Sequence, residues 1–193
     1  MAEETPAQVR ARWRRLLRER RRKVDTDFAS TAGARICANL LACDAWHGAD
    51  SVALYLANDG EAPTQPIVRA ARAAKKNLYL PVVLDKRLEF RLWRAGETLV
   101  ANRYGIGEPP AGAPVIDTVE LMLLPLVGWT SRGFRLGMGG GFYDRYLADH
   151  SSRPAHCLGL AFECQREDSL DALRSDWDVS VDGIVTEEKA YRF

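Results

Sequence analysis

The chain has 193 residues, 47% of them hydrophobic and 27% charged, which is the length of one domain with apolar content enough for a full core. Its net charge of +1 points to no class of partner, but the distribution is uneven: residues 1–23 carry eight Arg and Lys23 against Glu3, Glu4 and Glu19, a local +6 against −5 for the remainder. No apolar run reaches the length of a membrane span, the basic start lacks the apolar stretch of a secretory signal, and its acids count against an organelle transit peptide, so a cytoplasmic protein without membrane partners is expected.

From Pro6 to about Val24 the spacing predicts a helix, with Val9, Trp13, Leu16 and Leu17 on one stripe and arginines around the rest. Arg10, Arg14 and Arg18 recur every four residues and so share a face. Most of these arginines read as a solvated surface; a few are placed to reach phosphate or carboxylate, which guanidinium matches in bidentate geometry. Nucleic-acid binding is the weaker alternative, since no larger basic surface or recognised module accompanies the helix. A second helix is predicted over roughly Asp27 to Trp46, from Phe28, Ala32, Ile36 and Leu40 at helical spacing. Cys37 and Cys43 read there as small buried apolar residues. The four cysteines, with Cys157 and Cys164, form no CxxC pair, and reduced thiols are the simplest reading.

Ser51 to Ala57 reads as a strand ending in the turn signal Asn58-Asp59-Gly60-Glu61, and Thr64 with Pro66 opens a helix to about Lys76. Leu78 to Leu84 is the next strand and Leu88 to Arg94 a half-exposed neighbour. This alternation indicates an α/β fold with a largely parallel sheet, in which ligands bind beyond the carboxyl ends of the strands. The loops at 57–64 and 130–141 are therefore expected to open on one crevice. Glu61 is either an ordinary loop acid or an acceptor for the donor edge of a ligand. Ala101 to Pro114 holds too much Gly and Pro for regular structure and reads as a long loop. Within it, Tyr104 either packs the loop or stacks on a planar ring.

Glu120 to Gly128 reads as a buried strand, followed by Thr130 to Leu147, where the chemistry converges. Gly137, Gly139, Gly140 and Gly141 form a strand-to-helix turn whose free N–H groups suit phosphate. Asp144 falls in the first turn of the following helix, Phe142 to about His150, where a carboxylate can hold magnesium bridging to phosphate oxygens. The run lacks the third glycine of the dinucleotide fingerprint and the Gly-Lys-Ser/Thr of the phosphate loop. The plainer alternative is a tight turn with Asp144 complementing the helix dipole. Later, His156 to Phe162 and Val181 to Thr186 read as strands, with a helical piece near Ser169 to Arg174. His47, His150 and His156 lack metal-ligand spacing and no Ser/His/Asp arrangement is evident, so neither metal hydrolysis nor acyl-enzyme chemistry is indicated.

Arg135-Leu-Gly-Met-Gly-Gly-Gly-Phe-Tyr-Asp-Arg-Tyr-Leu147 resembles the signature of the 5-formyltetrahydrofolate cyclo-ligase, or methenyltetrahydrofolate synthetase, family. The basic first helix, Val52-Ala-Leu-Tyr-Leu56 with Asp59-Gly-Glu61, Tyr104-Gly-Ile-Gly-Glu-Pro109, Leu124-Pro-Leu-Val-Gly128, Gly159-Leu-Ala-Phe162 with Gln165, Trp177-Asp178 and Val181-Asp-Gly-Ile-Val-Thr186 extend the resemblance over nearly the whole chain.

The resemblance implies a three-layer α/β/α sandwich in one domain spanning 1–193, with 1–24 as its basic helix. It also implies conversion of 5-formyltetrahydrofolate, with ATP and Mg2+, to 5,10-methenyltetrahydrofolate, ADP and phosphate through a phosphorylated formyl (imidate) intermediate. Position by position, it implies that Arg10 and Arg14 touch ATP phosphates, Arg14 also the folate. Arg135, Leu136, Gly137, Met138, Gly139, Gly140, Gly141, Phe142 and Tyr143 would form the nucleotide cradle. Asp144 would hold magnesium with Asp178 as second carboxylate and Asp182 its substitute, while Leu56, Glu61 and Tyr143 would line the folate pocket. Arg10 stands in a place the resemblance gives to lysine, and Gly140 where some members carry lysine, which gives Arg135 more weight. The rival readings are a non-catalytic or differently specific ATP-binding relative of the same fold and an RNA-binding role for the arginine helix.

Overall fold

The computed structural model describes residues 4–149 and 153–193. Its first helix, α1 (Pro6–Arg22), starts where the local chemistry demands: Thr5 Oγ1 accepts from Gln8 N–H at 3.3 Å, Gln8 Oε1 accepts from Thr5 N–H at 2.8 Å, and Pro6 takes the first helical position. The Asp25 carboxylate caps α2 (Thr26–Leu41) through Phe28 N–H at 2.9 Å. Where the periodicity predicted one helix to Trp46, the chain breaks at Cys43, whose backbone is extended, and resumes as α3 (Asp44–His47). In an unbroken helix Trp46 would stand about 240° around the axis from Leu40, off the buried stripe. The break lets Trp46 and Cys43 both turn inward, and the Cys43 thiol donates to Asn39 O.

The remaining elements are β1 (Ser51–Ala53), α4 (Gln65–Ala73), β2 (Asn77–Leu84), β3 (Arg87–Leu92), β4 (Val100–Ala101), β5 (Gly107–Glu108), β6 (Val115–Ile116), β7 (Leu121–Leu124), β8 (Gly128–Trp129), β9 (Arg135–Leu136), α5 (Phe142–Ala148), β10 (His156–Leu160), β11 (Gly183–Val185) and β12 (Ala190–Arg192). Two 3-10 turns, Glu163–Gln165 and Asp168–Leu173, lie between β10 and β11. The predicted end of α5 at His150 lies outside the described residues.

Eight strands form one sheet in the order β12-β11-β10-β7-β1-β2-β3-β6. The pairs β2·β1, β1·β7, β7·β10 and β10·β11 are parallel, while β3, β6 and β12 add antiparallel edges. Alternation along the parallel strands divides two cores. Val52, Leu121, Leu123, Leu158 and Leu160 face Ile36 and Leu40 of α2 and Ile67 of α4. Ala53, Met122, Leu124, Cys157 and Ile184 belong to the opposite core, with Leu147 of α5 and Phe90 of β3. The three-layer α/β/α arrangement expected from the sequence is therefore present. Helix α1 sits apart, packing Leu17 on Val127, Phe134, Leu136 and Leu170 past the end of β7.

The five parallel strands run 2-1-3-4-5 in chain order, so the order reverses between β1 and β7. Such a reversal leaves a crevice beyond the carboxyl ends of those strands. The predicted strands outrun the ladders there. Pairing with β2 extends through Leu54 N–H to Tyr79 O at 3.0 Å, after which residues 55–62 loop over the crevice, closed by Tyr55 Oη donating to Ala62 O at 3.1 Å. After β7 the chain leaves the sheet to form the two-stranded hairpin of β8 and β9. Buried Gln165 holds this exit, donating to Leu126 O and Val127 O at 3.0 Å and accepting Phe162 N–H at 2.9 Å.

At Gly183 an added Cβ would lie 2.3 Å from Tyr191 O, a backbone atom of the paired edge strand. Gly183→Ala is expected to lower stability by about 1–3 kcal/mol through overpacking. Gly112→Ala, whose Cβ meets nothing within 4 Å, should leave the thermal midpoint within a degree or two; equal midpoints for the two variants would contradict this.

Candidate active site

The crevice is a cavity of about 990 Å³, at the upper end of the range for small-molecule sites. Both loops expected to share it do so: Asn58, Asp59 and Glu61 from the first and Arg135 to Gly141 from the second. Every proposed site residue lines it, namely Arg10, Arg14, Leu56, Glu61, Arg135 through Asp144 and Asp178. Asp182 does not. It accepts Cys157 N–H at 2.7 Å and lies 3.9 Å from Arg153.

One end of the cavity is built for an anion. Gly139 (φ 98°) and Gly141 (φ 64°) take left-handed backbone, which favours glycine, and bend residues 137–141 into a cradle. A Cβ at Gly139 would approach the Arg14 Cζ to 3.2 Å, so the guanidinium lies directly over the turn. Arg14 Nε donates to Gly137 O at 2.9 Å, which fixes that position. Burial, and then the charge of Arg10, lower the Arg14 pKa against a smaller opposing effect of Asp178. A guanidinium stays charged at neutral pH, so the arrangement favours an incoming anion. A Cβ at Gly140 would come within 2.8 Å of the Phe142 ring, which would have to turn away to admit any side chain there. Helix α5 has only seven residues, so the cations around the cradle, more than a long helix dipole, favour negative charge.

Arg135 is buried, 2% exposed at its side chain, and Nη2 donates to Asp144 Oδ1 at 2.8 Å. Its Nε is buried with no hydrogen-bond partner among the described residues. An unpaired buried donor beside a glycine cradle is an opening for a ligand oxygen. Asp144 Oδ1 also takes a long 3.4 Å bond from Val179 N–H, which brings Asp178 alongside. Asp178 accepts from Arg10 and from Ser175 N–H at 2.7 Å. Arg10 also donates to Leu173 O at 3.0 Å, so in this structure it clamps the 175–178 turn onto α1. No group of three His, Cys, Asp or Glu side chains suited to a metal occurs among the described residues. Asp144 and Asp178 both line the cavity, each engaged by an arginine, and are of the donor type that magnesium takes, one or two acids completed by phosphate oxygens and water.

The other end is apolar, lined by Leu56, Leu80, Val83, Tyr104 and Ile106. Tyr104 is 53% exposed at its mouth. Glu61 is largely buried, accepts Asn58 N–H at 3.1 Å, and has a raised pKa, chiefly from burial, against the lowering effects of that bond and Arg21. Burial and then Glu61 push the Tyr143 phenol well above its ordinary value, with Arg135 opposing. Tyr143 lines the cavity and stays protonated, so its phenol is available there as a donor.

Two features were not visible in the sequence. Arg21, read as one solvated arginine among several, is 1% exposed. It donates to Leu126 O at 3.1 Å, Asp59 O at 2.8 Å and Asp59 Oδ2 at 3.0 Å, and reaches within 3.8 Å of Glu61 Oε1. Asp59, read as a turn residue, also receives Arg18 and Arg22, and its pKa is held down by them against its burial. The expectation of a solvated arginine surface therefore fails for Arg18 and Arg21, which together with Arg10 and Arg14 tie α1 to the loops of the cavity. Spacing assigned Arg10, Arg14 and Arg18 a common face and said nothing of Arg21; the partners of all four lie far away in sequence.

The model of the 5-formyltetrahydrofolate cyclo-ligase family matches residues 6–187. The chain is 30% identical over 184 residues to the 5-formyltetrahydrofolate cyclo-ligase of Escherichia coli strain K12, covering 92% of this chain and all of that one. Identity is 33% over 143 residues with the protein of the same name from Haemophilus influenzae, covering 71% and 75%. Among solved structures, the 5,10-methenyltetrahydrofolate synthetase of Aquifex aeolicus superposes with a TM-score of 0.84 at 25% identity, over 95% of this chain and 92% of the other. The glycine cradle, the pair Asp144 and Asp178, and buried Glu61 thus stand on a scaffold shared with these proteins, and the chain belongs to the 5-formyltetrahydrofolate cyclo-ligase family.

Proposed function

We propose that the chain closes 5-formyltetrahydrofolate to 5,10-methenyltetrahydrofolate at the expense of ATP, releasing ADP and phosphate. The observation that carries this reading is that one cavity is lined both by an arginine-flanked glycine cradle and by apolar side chains with a largely buried carboxylate, Glu61. The cradle residues 135–143, with Arg14, would hold the triphosphate, and Arg10 would join them if released from Asp178. Leu56 and Glu61 would hold the pterin, Glu61 taking hydrogen bonds from its donor edge. Magnesium carried with the nucleotide would be held by Asp144 and Asp178 and would neutralise charge on the phosphate oxygens.

The formyl oxygen attacks the γ-phosphoryl group and ADP leaves, giving a phosphorylated imidate. N10 of the folate then attacks the formyl carbon, the oxygen departs as phosphate, and the N10 proton is lost. Such steps ask for alignment and charge neutralisation, without a covalent nucleophile. Tyr143, kept protonated, donates toward the formyl end, and Arg135 Nε supplies a donor for a phosphate oxygen. The whole chain acts as one catalytic unit in this reading. Four free cysteines suit a reducing, cytoplasmic setting, and no helix among the described residues is long and apolar enough to cross a membrane. We assign α1 to cavity construction and no role in nucleic-acid binding.

The test is a rise in near-ultraviolet absorbance from the methenyl product, with folinic acid, ATP and magnesium, that vanishes when any of the three is omitted. A flat trace from folded protein that still binds ATP would leave a differently specific or non-catalytic relative. Arg14→Ala is expected to raise the KM for ATP about ten- to a hundredfold, the loss of one charge-assisted contact worth about 1.5–3 kcal/mol. An unchanged KM in that variant would remove Arg14 from the phosphate site.

A further inference from the structure

We infer that Trp177 is the platform on which the purine base of the nucleotide stacks, an inference that rests on the proposed reading of the cavity as an ATP site. Trp177 lies in the turn Ser175 to Val179, which is closed by a bond of its own and held from two sides. Asp178 N–H donates to Ser175 O at 3.0 Å, and Arg10 binds Asp178 and also Ser175 Oγ at 3.2 Å. Val179 N–H reaches Asp144 Oδ1. The turn is thereby fastened to α1 on one side and α5 on the other. Of the five tryptophans, Trp46 and Trp129 are buried and Trp13 and Trp93 half-buried, while Trp177 is 71% exposed.

A single exposed apolar residue is ordinary. Its location is what matters: Trp177 adjoins Asp178, two residues from an N–H that reaches Asp144, and it lines the same cavity as the glycine cradle. An exposed indole on a turn so fastened, in the wall of the cavity that holds the glycine cradle, offers a flat apolar face to a planar ring. The heterocycle that reaches it is the one joined to the phosphates. The pterin is assigned to Leu56 and Glu61, on the loop that follows β1. Stacking reads ring area and polarisability more than hydrogen-bond pattern, so purine triphosphates should bind better than pyrimidine ones, with weak discrimination among purines.

The experiment measures binding of magnesium ATP and of magnesium tripolyphosphate, by calorimetry, to the full chain, Trp177→Ala and Trp177→Phe. Trp177→Ala is expected to weaken ATP about tenfold or more and to leave tripolyphosphate within twofold, while Trp177→Phe keeps most of the ATP affinity. ATP should also quench part of the wild-type tryptophan fluorescence, and that quench should vanish in Trp177→Phe. Equal losses for ATP and tripolyphosphate, or none for either, would overturn the inference. A wild-type chain that binds tripolyphosphate as tightly as ATP would overturn it too, yet leave the phosphate cradle standing. A wild-type chain that binds neither would overturn the nucleotide reading and the inference together.

Discussion

Asp144→Ala should suppress the ATP- and magnesium-dependent formation of methenyl product by a factor of about a hundred or more, the scale on which removal of a single electrostatic group at a phosphoryl or oxyanion site acts. The structure adds a complication, because Asp144 is also the partner of Arg135 at 2.8 Å. Alanine removes a carboxylate and releases a buried cation at the same time. Asp144→Asn separates the two: the amide oxygen can still accept from Arg135 and Val179 N–H, but the charge that would hold magnesium is gone. Both variants are expected to lose turnover. Their nucleotide affinities should diverge from wild type in a telling way, with ATP binding in the absence of magnesium retained or tightened and the gain on adding magnesium lost. Calorimetry with and without the metal reads this independently of turnover. An Asn variant that keeps both turnover and the magnesium-dependent gain would reduce Asp144 to an anchor for Arg135.

How far this site was legible depended on whether its residues announce themselves locally. The glycine run with Asp144 did, since closely spaced glycines between an apolar strand and an amphipathic segment have few other uses, and the crevice followed from the strand-helix alternation. The partnerships did not. Nothing near Arg21 indicates that its guanidinium is sealed against Asp59 and Leu126 O, because those groups come from the ends of two strands that meet only after the sheet has formed. The Arg10 and Asp178 pair, separated by 168 positions, is illegible for the same reason. Short ladders were missed as well. Within the predicted loop 101–114, β5 pairs with β4, held by Glu108 Oε1, which accepts from Asn102 Nδ2 at 2.8 Å and from Val83 N–H at 3.0 Å. Two-residue strands such as β6 carry no period to detect, and the edge strand β12 follows a turn of unremarkable composition.

Glu61→Gln should separate function from stability. In the folded chain the Glu61 pKa lies above its ordinary carboxylate value, with burial the largest cause. Between the unfolded and folded values the folded state therefore holds more proton, and stability falls as pH rises through that window. Above it, ionised Glu61 is a standing cost, partly offset by Asn58 N–H and by Arg21. Glutamine keeps an acceptor for Asn58 N–H and removes the buried charge, while Arg21 retains Asp59 and Leu126 O. The variant is therefore expected to melt no lower than wild type at neutral pH, and to lose the decline in stability across the acid window. Its kcat/KM for folinic acid should nonetheless fall about ten- to a hundredfold, since a neutral amide is the weaker acceptor for the pterin's donor edge. Thermal melts across pH, set beside steady-state kinetics, give both quantities. A clearly lower midpoint at neutral pH would make Glu61 a structural partner of Arg21. A higher or equal midpoint with impaired turnover would mean that the chain carries a destabilising carboxylate at this position because the substrate requires it.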